Sequence, residues 1–155
     1  MSLERDIELL TSVPFFEGIS TEAMKLIAFS ADPREHGDKA RIFSAGEAAD
    51  GGHLIIDGRV DLLDERRVPP KVVERLGAGA LLGELALIVE TRRPVSAVAV
   101  GPCRTLFIRR ALFRRMLEGH PAIAELLAER IAERLQAMAP EIGRIGDRMS
   151  AIDER

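Results

Sequence analysis

Gly83-Glu84-Leu85-Ala86-Leu87-Ile88-Val89-Glu90-Thr91-Arg92-Arg93-Pro94-Val95-Ser96-Ala97 is the stretch whose reading decides this chain. It begins with a glycine, which lets backbone N–H groups come close to an anion. A carboxylate follows, and carboxylates accept hydrogen bonds from sugar hydroxyls. Arg93 stands ten positions after the glycine, and a guanidinium makes a forked, charge-assisted contact to a phosphate. A short helical turn after Gly83 would aim further N–H groups the same way. Glycine, acid and arginine in an otherwise apolar context describe a pocket for a small sugar phosphate.

Upstream of this stretch, from Arg34 onward, short β-rich runs alternate with turns. Asp57-Gly58, between Ile55-Ile56 and Val60-Asp61-Leu62, predicts a two-residue hairpin turn. Arg66-Arg67-Val68-Pro69-Pro70 reads as an exposed loop, Val72 to Leu76 as a strand, and Gly77-Ala78-Gly79 as its close. Downstream, Val95 to Val100 and Thr105 to Ile108 read as two strands separated by a Gly101-Pro102 turn. Many short strands with frequent turns predict a β-roll or jelly roll.

Helical periodicity flanks this region on both sides. Leu3, Ile7 and Leu10 predict a short amphipathic helix, anchored by the apolar turn Val13-Pro14-Phe15-Phe16. Ser20 is an N-cap candidate with Glu22 in the first turn. The helix it opens buries Ala23, Met24, Ile27 and Leu26 and ends near Asp32-Pro33. Leu112, Phe113, Met116 and Leu117 form one face of a later helix, broken at Gly119-His120-Pro121. A last helix carries Ile123, Leu127, Ile131, Leu135 and Met138. From Ala128 to Ile152 the apolar residues alternate steps of three and four, which is a heptad seam. Pro140, Gly143 and Gly146 weaken it. The seam predicts a homodimer paired through the C-terminal helix, against the plainer reading of a frayed tail.

Composition narrows the function. The length of 155 residues suits one domain with one core. A net charge of −3 argues against a nucleic-acid scaffold. Cys103 is the sole cysteine, so neither an internal disulfide nor a cysteine metal cluster can form. It reads as a structural thiol in a turn. His36, His53 and His120 are scattered, without the close histidine pair and carboxylate of a metal-binding jelly roll, and no metal is expected. With neither a secretory signal nor a membrane span apparent, the expected location is the cytoplasm. No nucleophile–base pair appears, so the chain reads as no enzyme. Arg109-Arg110 and Arg114-Arg115 read as a solvated helix face, with contact to an acidic partner as the alternative.

The Gly83–Ala97 stretch resembles the phosphate-binding cassette of the cyclic-nucleotide-binding domain family. So does the upstream run Gly37 to Glu47, followed by Asp50 and His53 to Val60, and the likeness extends over roughly residues 10–138. The resemblance implies a mainly β fold with flanking α: a β-roll with N-terminal helices and C-terminal lid or dimer helices. Residues 1–138 would form this domain and 139–155 a C-terminal helical tail, a possible coiled-coil extension. Gly83, Glu84, Leu85, Ala86, Arg93, Val95 and Ser96 would bind the ligand. Glu84 would take the ribose 2′-hydroxyl and Arg93 the cyclic phosphate. Leu85 and Ala86 would offer backbone N–H groups, while Arg92 falls off the family spacing. Ile123, Leu126 and Leu127 lie where the family's base-covering residue is found.

Two departures matter. Leu82 replaces the more usual aromatic residue before the glycine, a packing change. Pro94 follows the arginine, where relatives offer an N–H and often a hydroxyl. Proline offers neither; one lost bond to a charged acceptor costs about 1.5–3 kcal/mol. The missing hydroxyl favours cyclic AMP over cyclic GMP as ligand. The expected function is a stand-alone, non-catalytic cyclic-nucleotide sensor. The alternative is an interaction or dimerisation module that keeps the roll and has lost its ligand. A transcription regulator is disfavoured, because the tail after Met138 is too short for its own helix-turn-helix.

Overall fold

Two long strands organise the molecule, and neither breaks where its glycines suggest. The computed structural model describes residues 3–133 and residue 136. The heptad seam from Leu135 onward and the 139–155 tail lie outside the described residues.

Helices α1 (Leu3–Ser12) and α2 (Thr21–Ser30) come first, joined by a 3-10 turn at Pro14–Phe16. The Ser20 hydroxyl accepts the Ala23 N–H at 3.2 Å and caps α2. Ala23, Met24 and Ile27 are buried as expected, but Leu26 faces outward. The strands are β1 (Asp32–His36), β2 (Arg41–Phe43), β3 (Ala48–Ala49), β4 (Gly51–Asp64), β5 (Lys71–Leu76), β6 (Leu81–Leu82), β7 (Thr91–Arg92) and β8 (Ser96–Arg109). One sheet has the order β1-β8-β4-β5, with β2 added to β8 and β6 to β4, and all these pairs are antiparallel. β3 and β7 form a small second ladder. Helix α3 (Arg110–Glu118) follows β8, and after Gly119-His120 residues 121–133 are helical again (α4). The fold is the mainly β roll with flanking helices that the sequence predicts.

Asp57-Gly58 is not a hairpin turn, and Gly101-Pro102 does not separate two strands. β4 runs through Asp57-Gly58 and β8 through Gly101-Pro102, with the β4–β8 register shifting on both sides of Asp57. The two glycines carry φ of +96° and +75°, so the turn chemistry serves mid-strand irregularities in which both strands bend together. A Cβ on Gly58 would lie 2.5 Å from the Pro102 carbonyl oxygen. The irregularity re-aims Asp57, whose carboxylate accepts from Arg5 of α1 at 2.7 Å. Cys103 therefore sits within a strand, buried, and not in a turn.

Apolar packing divides into two clusters. One joins the helices to the roll and holds Leu10, Phe16, Met24, Leu87, Phe113 and Leu127, among others. The second fills the roll itself with Phe43, Ile55, Val60, Leu82, Ala97, Ala99 and Cys103. The segment between β6 and β7 lies between them. Ile123 and Leu127 belong to the helical cluster, and Leu126 lies against Gly18. α4 is fixed there, with Arg130 donating to the Phe15 carbonyl at 2.7 Å.

Candidate functional site

After β6 the chain turns at Gly83, whose φ of +76° is left-handed; a residue with a Cβ adopts that region only at a cost. A 3-10 turn at Glu84–Leu87 follows. Its residues face two ways. Gly83, Glu84, Leu85 and Ala86 line a cavity of about 470 Å³ in the side of the roll, while Leu87 is fully buried in the helical cluster. A volume of that size lies within the range of small-molecule sites.

Arg93 forms the polar wall opposite. It is 6% exposed. Its Nη2 donates to the Gly51 carbonyl at 2.8 Å, and its guanidinium lies 4.3 Å from the centre of the Phe43 ring, a favourable cation–π arrangement. Nη1 is buried and has no hydrogen-bond acceptor among the described residues. A Cβ on Gly83 would stand 2.1 Å from that Nη1. Glycine is thus required twice, by its backbone angle and by the guanidinium packed against it. Burial lowers the proton affinity of Arg93, and the carboxylates of Asp50 and Glu47 oppose that shift. A buried cation with an unanswered N–H is costly to leave alone, and an anion entering the cavity supplies the missing acceptor.

Arg92, the preceding residue, which falls off the family spacing, lies at the surface. It is exposed and donates to the Gly46 carbonyl at 2.8 Å, although part of it borders the cavity. The β3–β7 ladder holds both arginines in place: Ala48 pairs with Arg92, and the Arg93 N–H donates to the Glu47 carbonyl at 2.9 Å.

Of the residues read from the sequence, Gly83, Glu84, Leu85, Ala86, Arg93 and Val95 converge on this cavity. Ser96 does not. It is fully buried, its hydroxyl accepts the Ala45 N–H at 2.9 Å and donates to the Glu65 carboxylate, so it braces the roll. The Ala86 N–H is also engaged, donating to the Gly83 carbonyl at 3.0 Å to close the 3-10 turn. Ile123, Leu126 and Leu127 are absent from the cavity wall: Ile123 and Leu127 fill the helical core, and Leu126 lies against Gly18.

The structure adds groups that the sequence reading passed over. Phe43, Leu62, Glu74 and Leu76 complete the wall. Arg110 is no solvated charge. Its Nη1 donates to the carbonyls of Ala49 at 2.8 Å and Ala86 at 3.2 Å, and reaches that of Val89 at 3.3 Å. Arg114 donates to the Ile88 carbonyl at 3.0 Å. These two side chains fasten the turn to α3. No sequence spacing announces such bonds, since their acceptors are backbone carbonyls. Among the described residues no cluster of histidine, cysteine or acidic side chains could hold a metal, and no helix is long and apolar enough to cross a membrane.

Comparison with known proteins places the chain in a family. The regulatory subunit of the type II cAMP-dependent protein kinase of Drosophila melanogaster is 31% identical over 111 residues, 71% of this chain and 29% of that protein. This chain spans between 7% and 45% of the length of three curated relatives that it matches. A cyclic nucleotide-binding-like protein from Brucella abortus superposes with a TM-score of 0.69 at 35% identity, over 73% of this chain and 97% of that one. The regulatory domain of Toxoplasma gondii PKA, solved with cAMP, gives 0.68 at 26% identity over 84% of this chain and 50% of that one. The family model described as the cyclic nucleotide-binding domain matches residues 33–120, a span that holds both the Gly83 turn and Arg93, and the chain belongs to that family.

Proposed function

We propose that the cavity binds a 3′,5′-cyclic nucleotide and that the chain acts as a non-catalytic regulatory module. The phosphate occupies the space beside Gly83 and takes the Arg93 Nη1–H. The ribose 2′-hydroxyl meets Glu84, and the base extends along the apolar wall toward Leu62 and Leu76. The observation that carries this reading is the buried, acceptor-less Nη1 of Arg93 facing a glycine that has no room for a Cβ.

Binding pulls on the Gly83–Leu87 turn, and the carbonyls held by Arg110 and Arg114 pass that pull to α3. The ligand then favours whichever arrangement of the turn and α3 contacts it better. Pairing of two chains through the C-terminal helix would give such a shift a surface to act on. Sedimentation of the full chain tests that pairing, and a monomer at micromolar concentration rejects it.

A second reading keeps the roll as an interaction module without ligand. Two features favour it: Pro94 contributes no N–H at the cavity edge, and the Ala86 N–H is already engaged. Calorimetry with cyclic AMP and cyclic GMP separates the two. Heat that disappears in Arg93→Ala and persists in Arg92→Ala supports the ligand-binding reading. Absence of heat at millimolar ligand favours the ligand-free module.

A further inference from the structure

Strand β5 brings an acid to the wall of the cavity. Glu74 and Leu76 share one face of the pleat and Arg75 lies on the other, while the register with β4 shifts between Leu62 and Leu63, so that Val73 is the extra residue between Val72 and Glu74. Glu74 is the Cα partner of Leu62, so the two side chains stand on the same face, and Leu62, Glu74 and Leu76 all line the cavity. On the outer face Arg75 pairs with Asp61 at 3.5 Å, while Val73 is 50% exposed. Glu74 is exposed as well, and its place on the cavity wall puts its carboxylate at the cavity's mouth.

Among the described residues no side-chain hydrogen bond or ion pair engages the Glu74 carboxylate. Its neighbours on the cavity wall, Leu62, Leu76, Ala80 and Val95, are apolar. An ionised carboxylate accepts and cannot donate, and it takes two parallel N–H donors at once. We propose that Glu74 is the base-selecting residue of this cavity and that it favours guanine over adenine. This rests on the cyclic-nucleotide reading above. The Watson–Crick edge of guanine presents N1–H and N2–H side by side, which matches the two carboxylate oxygens. Adenine offers an N6–H donor beside the N1 lone pair, and that lone pair faces the carboxylate repulsively. Selection comes from both the pair gained and the repulsion avoided. Pro94 removes a hydroxyl at the phosphate end, whereas Glu74 acts at the opposite end of the cavity. The preference for cyclic AMP expected from Pro94 is therefore reversed.

The test is calorimetry on the full chain with cyclic GMP, cyclic IMP and cyclic AMP. Cyclic IMP keeps N1–H and lacks the 2-amino group, so it isolates one of the two bonds. The expected order is cyclic GMP, cyclic IMP, cyclic AMP, with about tenfold or more between first and last. In Glu74→Leu, a change that suits the apolar neighbours, the spread collapses while Arg93-dependent binding of all three remains. Equal affinities, tighter cyclic AMP, or an unchanged preference in Glu74→Leu each overturn the assignment of Glu74 and leave the site standing. Silence from all three nucleotides overturns the site itself, and this assignment with it.

Discussion

Two arginines on the roll, Arg41 and Arg93, have opposite surroundings. Arg41 lies at the surface and forks onto Glu65 through Nη1 and Nη2 at 2.6 and 2.7 Å. Glu65 also takes the Ser96 hydroxyl, so the whole group is answered within the chain. Arg93 is buried, holds one carbonyl and one aromatic face, and keeps an N–H without an acceptor. Satisfied polar groups brace a fold. A buried cation left open beside a cavity can be answered by a group that arrives from outside. Arg41 is accordingly structural, and Arg93 is the group that waits for an anion.

The sharpest way to break this contrast is to exchange the losses. Arg93→Ala should weaken cyclic-nucleotide binding by up to about a hundredfold, since the charge-assisted bond from Nη1 to the phosphate is lost with the buried charge. Arg41→Ala should leave affinity unchanged. Calorimetry on both variants checks the pair, and equal losses would erase the distinction.

Next in size is the glycine beside Nη1. Gly83→Ala forces a Cβ to 2.1 Å from that atom and strains a φ of +76°, so affinity should fall about tenfold or more as the guanidinium is displaced. Gly46→Ala is the control, because its φ is +87° but nothing lies within 4 Å of the added atom. It should lower the melting temperature while leaving affinity alone.

The two surroundings also predict different acid responses. His53 stacks between Phe43 and Phe107 on the Arg93 side of the roll. Burial first, and then Arg93, push it from the usual 6.5 down to about 3. The unfolded chain therefore binds a proton that the folded chain refuses, and stability falls as pH drops from 6.5 toward 3. Glu65, on the Arg41 side, is held down from 4.5 to about 2 by hydrogen bonds from Arg41 and then Ser96. Its contribution is complete above 4.5 and is lost as pH falls through 2. Denaturant melts from pH 8 to pH 2 should show the first loss removed in His53→Gln and the later one in Glu65→Gln. Matching profiles in the two variants would reject the separation.

The smallest effect concerns Ser96. Ser96→Ala should cost about 0.5–1.5 kcal/mol of stability and shift affinity by less than about twofold. A larger loss of affinity at unchanged stability would return Ser96 to the cavity.

Legibility in the sequence followed the range of the signal. The Ser20 cap, the break at Gly119-His120-Pro121 and the strand over 72–76 depend on neighbours a few positions away, and each stands in the fold. The spacing from Gly83 to Arg93 is equally local in sequence, and the two residues do meet. The reading failed where a local signal has two structural uses. Asp57-Gly58 carries the residues of a tight hairpin turn, yet the same positive φ makes a mid-strand irregularity once β8 lies alongside with Gly101. Arg110 and Glu74 were misjudged or missed for a related reason. Their meaning depends on carbonyls and walls supplied by segments distant in the chain.

By itself, the sequence determined the class of fold, the turn that offers a glycine and an acid, and the arginine that faces them. Periodicity, backbone angles and charge type are properties of residues and near neighbours, and they survive without knowledge of the whole. Tertiary structure alone decided that the serine hydroxyl is spent on Glu65, that Arg110 and Arg114 are spent on the carbonyls of the turn, and that an acid of β5 comes to the cavity wall. Each of those outcomes depends on which distant segment removes water from a side chain and which polar atom it offers in exchange, and no stretch of the sequence contains both partners.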